Sequence, residues 1–308
     1  MSASTASILA RLKNKAKKEG IAFQQLLNLF FQEEFLRRLA QSSYREQLIL
    51  KGGFLLYSIS DFTTRSTVDA DYLLKNHSNK LNSVENLVQS ILNEKTNNEI
   101  MKIEIRAAER INEVKEYHGV RVNLTGYLGN TRTPFSIDVG VGDIIVPSPV
   151  TRTLAVLLDD FSKPTILTYS LESTISEKLD AIIRFMEATG RMKDFYDIYY
   201  LATSFEFEGR KLQEAIYETF SKRGTIYERD TVQVIERLIK NEAIIHRWGI
   251  FCKKVLKYEL DFGEVVRLVV AFIDPPFQAI VHEEELFGNW NSDRQRYEYR
   301  KETDLWLH

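Results

Sequence analysis

The sequence predicts an α+β domain followed by a helical domain. Three observations carry that prediction. Apolar residues recur at helical spacing near the start, short alternating or β-branched runs dominate from Leu48 to about Leu167, and nearly everything from Leu171 onward reads as helix. No Gly/Ser-rich linker, low-complexity tract or internal repeat interrupts the 308 residues, which hold only 14 Gly and 6 Pro. The boundary is therefore tight, and it is placed to give units of residues 1–168 and 169–308.

The elements follow in order. Phe23, Leu26, Leu27, Phe30 and Phe31 fall on one helical stripe, so residues 7–41 read as two amphipathic helices split near Gly20. Strands are expected at residues 48–50, 68–74, 102–106, 120–125, 135–139 and 165–168. Helices are expected at residues 54–59 and near 83–94. The second half is broken near Gly190, Gly209, Gly224 and the Pro275-Pro276 pair.

Composition narrows the function. With 41 Lys plus Arg against 43 Asp plus Glu, the net charge of −2 excludes a nucleic-acid binder that works through bulk positive charge. The longest apolar runs, around Arg267, fall far short of the roughly 18–20 residues a membrane span needs. Residues 1–12 lack the form of a secretory signal. Cys252 is the only cysteine, so neither an intrachain disulfide nor a Cys-built zinc site is expected, and the five histidines show no ligand spacing. A reducing cytoplasm is the expected compartment.

The chemistry concentrates between Lys51 and Asp71. A period of two along residues 68–74 puts Val68, Ala70, Tyr72 and Leu74 on one face and Asp69 and Asp71 on the other. Two adjacent carboxylates repel, and a divalent cation between them relieves that repulsion. Asp138, opposite the Phe135, Ile137 and Val139 face of a later strand, is placed to join them. Gly52-Gly53 follows a strand and opens a helix, so its bare backbone can approach a phosphate. Arg65 and Thr67 lie just before the acids, where they contact phosphate or shape the turn. A Gly-Gly loop, an Asp-x-Asp strand and a third Asp are what two-metal nucleotidyl transfer requires.

Leu-Lys-Gly-Gly-Phe-Leu, then Arg-Ser-Thr-Val-Asp-Ala-Asp, then Ile-Asp-Val-Gly-Val-Gly-Asp resembles the polymerase-β-type nucleotidyltransferase superfamily, specifically its AbiEii/MenT-type toxin branch. The resemblance covers roughly residues 45–205. It implies a polymerase-β-like domain with a mixed sheet, Mg²⁺ held by Asp69, Asp71 and Asp138, and phosphate binding by Gly52, Gly53, Arg65, Thr67 and Lys178.

In the helical half, Lys178 lies at the edge of the Ile175, Leu179, Ile182 and Ile183 stripe and needs an anionic partner. Asp194 and Asp197 share a face with Ile198 and Leu201. An internal salt bridge to Lys178 accounts for these groups on structural grounds alone. The resembled toxins require a Lys in such a Glu-Lys helix and an Asp in such a Lys-Asp motif, which assigns catalytic importance to Lys178 and Asp194 and leaves Asp197 as a helix cap or supporting residue.

The resemblance further implies a toxin of a type IV toxin–antitoxin or abortive-infection system, active in antiviral defence. It would add nucleotides from a nucleoside triphosphate to the 3′ end of tRNA and be countered by a co-encoded winged-helix repressor. The rivals are transfer to a small-molecule or protein hydroxyl, and a catalytically silent nucleotide-binding protein. Arg11, Lys13, Lys15, Lys17 and Lys18 form a cationic first helix, either solvated surface or an RNA footprint, which Arg37-Arg38 and Lys253, Lys254 and Lys257 would extend. Trp290, Tyr297, Tyr299 and Trp306 are expected to pack a terminal helix rather than stack on bases.

Overall fold

The computed structural model describes residues 4–98, 100–111, 119–188 and 190–299; Trp306 lies outside them. Its backbone divides into two compact units, Met1–Asp143 with Pro149–Tyr169, and Ile144–Ser148 with Ser170–His308. None of the described helices is long and apolar enough to cross a membrane.

The first unit opens with helices α1 (Thr5–Glu19) and α2 (Phe23–Gln41), separated where Gly20 takes a left-handed φ of 64° at the C-cap of α1. Strand β1 (Leu48–Lys51) leads directly into α3 (Gly52–Ile59), and β2 (Ala70–Leu74) is followed by α4 (Leu81–Leu92). Next come β3 (Met101–Ile111), β4 (Gly119–Leu128), β5 (Thr131–Gly140), β6 (Val150–Thr153) and β7 (Thr165–Thr168). The seven strands form one mixed sheet in the order β3-β4-β5-β2-β1-β7-β6. The β2–β5 and β1–β7 pairs are parallel and the others antiparallel.

Helix α2 covers one face of that sheet because its apolar residues match the strands' inward positions. Phe35 meets Tyr72 edge-on and Phe31 stacks on Phe135. Each of the fully buried Phe31 and Phe35 contributes roughly 2 kcal/mol through apolar burial. Gly126 permits the approach, since a β-carbon there would land in the Phe31 ring.

Residues 68–74 depart from expectation at their start. Strand β2 begins at Ala70, and Val68 is 45% exposed instead of facing the core. The backbone there is held from α2, where Gln32 Nε2 donates to the Val68 carbonyl at 2.7 Å and Gln25 Nε2 to Ser66 Oγ at 2.9 Å. A backbone group bonded to a helix side chain is not paired to a neighbouring strand at that bond.

The second unit holds α5 (Leu171–Phe185), α6 (Met192–Ser204), α7 (Gly209–Arg223), α8 (Thr231–Arg237), α9 (Glu242–Phe251) and α10 (Phe262–Val281). Ser170 caps α5 by accepting from the Ser173 N–H at 3.1 Å. Buried Asp180 ties α5 to the end of α7, accepting from Arg184 at 2.5 Å, Arg223 at 3.0 Å and Thr225 at 2.5 Å.

Two expectations for this half are corrected. It contains a small sheet, in which β9 (Asn289–Asn291) lies between β8 (Phe207–Glu208) and β10 (Arg296–Glu298). Trp290 and Tyr297 therefore pack from a hairpin, not a terminal helix. Pro275 and Pro276 do not break the chain but lie inside α10. Pro276 offers no N–H to the Phe272 carbonyl one turn back, and the Tyr297 hydroxyl donates to that oxygen instead at 2.9 Å.

Candidate active site

In the first unit the site is set by strand register. Asp71 is the parallel partner of Asp138 across β2 and β5, so the two side chains leave the sheet side by side on the same face. Their neighbours in the same row are Lys51, opposite Asp71, and Arg121, opposite Asp138. Tyr72, one residue on, points the other way into α2. The register thus puts Asp71 and Asp138 on the face away from α2, while Asp69, just before the strand, is exposed.

Gly52 and Gly53 earn their place by contact. Gly52 has a left-handed φ of 72°, and a β-carbon on it would collide with the Asp71 carboxylate. A β-carbon on Gly53 would sit 3.2 Å from Thr67 Oγ1 and 3.3 Å from an Arg65 guanidinium nitrogen. The glycine loop, the Arg65–Thr67 segment and Asp71 are therefore packed against one another at the N-terminus of α3. Thr67 shapes the turn as well, accepting from the Asp69 N–H at 3.3 Å.

Asp138 is not simply an open ligand. Arg121 grips it with a two-pronged fork, Nε to Oδ1 at 2.8 Å and a terminal nitrogen to Oδ2 at 2.6 Å. The Arg121 guanidinium is held still more firmly protonated, by that hydrogen bond first and the Asp138 charge second, with Asp69 adding to the effect. No three carboxylate, histidine or cysteine side chains converge into a ready-made metal cage among the described residues. The donor set nevertheless has the chemistry a hard cation takes: carboxylate oxygens on adjacent strands, one of them resting against a bare glycine.

In the second unit Lys178 is 9% exposed and its Nζ lies 3.1 Å from Asp194 Oδ1 and 2.5 Å from Asp197 Oδ2. Both acids are buried, and Arg191 Nε reaches the other Asp194 oxygen at 2.5 Å. Asp197, expected as a cap or support, makes the shorter bond to Lys178.

Sequence reasoning assigned no role to Arg121, Arg191, Lys51 or Asp143. Lys51 Nζ lies 2.6 Å from Asp143 and 4.9 Å from the centre of the Tyr169 ring. Arg121 had a usable signal, since it alternates with Val120 and Val122 and so projects from the same strand face as Asp138's partner row.

The basic features divide differently from the expected patch. Arg11 pairs with Asp160 at 2.8 Å and Lys15 with Glu19 at 2.9 Å, whereas Lys13, Lys17 and Lys18 are exposed. Arg37 and Arg38 do not extend a surface patch. Both bind Glu34 inside the unit, and Arg38 also donates to the Leu92 and Met101 carbonyls. Cys252 is buried, and burial raises its thiol pKa, which suits packing more than nucleophilic attack.

The sequence profile of the family described as nucleotidyl transferase AbiEii toxin, type IV toxin–antitoxin system, matches residues 34–283, well over half of the chain. No curated protein sequence matches it. Among solved structures, JHP933 from Helicobacter pylori is similar at 15% identity and a TM-score of 0.49, covering 85% of this chain and 97% of its own. The nucleotidyltransferase toxin MenT4 from Mycobacterium tuberculosis is similar at 14% identity and a TM-score of 0.48, covering 91% and 90%. These structural likenesses are too loose to assign a role to any residue.

Proposed function

Because the chain belongs to the AbiEii nucleotidyltransferase toxin family of type IV toxin–antitoxin systems, we propose that it transfers a nucleotide from a nucleoside triphosphate to the 3′ end of tRNA, blocking translation. The observation that carries the reading is the register that sets Asp71 beside Asp138, with Gly52 against the Asp71 carboxylate.

Asp69, Asp71 and Asp138 would hold Mg²⁺. When bound, the cation neutralises triphosphate charge and eases ionisation of the acceptor hydroxyl. Arg121 fixes Asp138 in direction; each carboxylate oxygen accepting from it retains a second lone pair for a ligand. Backbone N–H groups at the start of α3, exposed by Gly52 and Gly53, donate to phosphate oxygens, and Arg65 and Thr67 add a cation and a hydroxyl at the same loop. Lys178 is assigned to nucleotide phosphate and Asp194 to positioning it. The working compartment is the cytoplasm, where tRNA and triphosphate are available, and a co-encoded winged-helix repressor is the proposed antitoxin.

The test incubates purified protein with total tRNA, Mg²⁺ and each labelled nucleoside triphosphate in turn, beside Asp71→Ala. Labelling of tRNA by at least one nucleotide is expected, reduced on the order of 10³-fold or more in the variant with its circular dichroism unchanged. Label appearing only in protein or a small molecule would reassign the acceptor, and equal behaviour of the two proteins would remove Asp71 from the chemistry.

A further inference from the structure

One face of the first unit carries a half-open cleft of about 880 Å³ that does not include the carboxylate site. Its charged lining is Arg37, Arg45, Lys75, Lys95 and Lys163 against the single acid Glu46. Arg45, Lys75, Lys95 and Lys163 are exposed and make the rim. Arg37 is 3% exposed and makes the floor. Its Nε donates to Glu34 at 3.0 Å, but neither terminal nitrogen makes a hydrogen bond, although Glu33 lies 3.5 Å from one of them. Arg37 has its two acids beside it, so the positive charge the cleft offers an anion is that of the four exposed rim side chains, which outnumber Glu46.

We propose that this cleft seats the phosphate backbone of the RNA acceptor, an inference that rests on the acceptor reading above. The lining decides between RNA and a free nucleotide. The residues around the cleft include no aromatic ring on which a base could stack, and their other polar groups are hydroxyls and amides, so phosphates are recognised and bases are not. The fold also gives the cleft a workable distance from the chemistry. Asp71 lies near the start of β2 and Lys75 just past its end, separated by about 13 Å at the rise of a strand. An RNA with its 3′ end at Asp71 would need only a few nucleotides to bring its backbone to the cleft. The near-neutral net charge of the chain is no obstacle, because the binding term is local.

The test compares the full chain with Lys75→Glu/Lys95→Glu, whose side chains are exposed and make no ion pair among the described residues. Binding is measured by fluorescence anisotropy with labelled total tRNA and with an unrelated single-stranded RNA, over a salt series. Affinity for both RNAs is expected to fall about tenfold or more near 0.1 M salt, and the slope of log Kd against log salt to drop by roughly 1.4, for two lost phosphate contacts. In the transfer assay KM for RNA rises while KM for the triphosphate holds. Asp71→Ala keeps wild-type RNA affinity. Unchanged affinity and slope in the lysine variant overturn the inference, even where transfer to tRNA confirms the acceptor. Weakened binding with no transfer by wild type upholds the cleft and removes the acceptor reading instead. Loss confined to one RNA sequence also overturns it, since a backbone site cannot read bases.

Discussion

The acids of the first unit's strands and those of the second unit's helices meet their cations under opposite conditions. Asp71 and Asp138 leave a strand row on a face that α2 does not cover, and Asp138 shares its charge with a half-exposed Arg121. Asp194 and Asp197 lie on the inward face of α6, fully buried, with Lys178 as their common partner. A carboxylate on a strand face that α2 leaves uncovered can be approached by a ligand, whereas one buried on a helix face is bound into the fold. Loss of Asp71 should therefore remove activity and leave stability alone, while loss of Lys178 should remove both.

The sharpest way to break that contrast is Lys178→Met. It takes from two buried carboxylates the cation they share and is expected to destabilise the second unit by about 3–5 kcal/mol. Asp194→Asn alone should cost less, because Asp197 still holds Lys178. The triple change Lys178→Met/Asp194→Asn/Asp197→Asn should recover much of the loss. Denaturant midpoints by circular dichroism measure all three, and a Lys178→Met midpoint equal to wild type would dissolve the distinction between the two regions.

Where alternation or helical spacing ran unbroken, the elements were legible: β4, β5 and β7 lie where residues 120–125, 135–139 and 165–168 placed them, and α1 and α2 split at Gly20. Polar edges were not. Strand β6 is Val-Thr-Arg-Thr, largely exposed, and pairs with β7 at the end of the sheet, so no apolar pattern marks it. The Gly-Gly loop and Asp-x-Asp string announced themselves through local spacing. Arg191 did not, because its partner is fixed by the first turn of a helix, and the alternation around Arg121 gave its strand face but not its partner, which strand register fixes. Arg37-Arg38 misled for a related reason, since two adjacent cations look like surface until Glu33 and Glu34 one turn earlier are seen to be buried beside them.

Glu33 supplies a middle case, an acid buried in the first unit whose cation is already committed. Its pKa is pushed up to about 7, chiefly by burial, against the opposing pull of Arg37 and of the Leu157 N–H that donates to it at 2.8 Å. Arg37 cannot offset the burial because its 3.0 Å bond goes to Glu34. The folded state thus holds a proton that the unfolded chain releases near 4.5. Stability falls as pH rises from about 4.5 to 7 and is level above, a change of about 3 kcal/mol. Glu33→Gln should flatten the pH profile of the denaturant midpoint across that window. A wild-type profile that rises there would mean the charge is better paired than the geometry indicates.

The smallest effect tests a buried polar group that carries no charge. The Tyr297 hydroxyl donates to the Phe272 carbonyl, which Pro276 cannot reach from within α10. Tyr297→Phe is expected to cost about 1 kcal/mol, since it leaves a helix carbonyl without that partner. The cause can be isolated. In a Pro276→Ala background the new N–H at position 276 restores the one-turn helical bond to the same oxygen, so the hydroxyl's loss should then cost close to nothing. A penalty of equal size in both backgrounds would mean that Tyr297 stabilises through its ring against Trp290, 5.3 Å away, and that α10 tolerates its prolines without help.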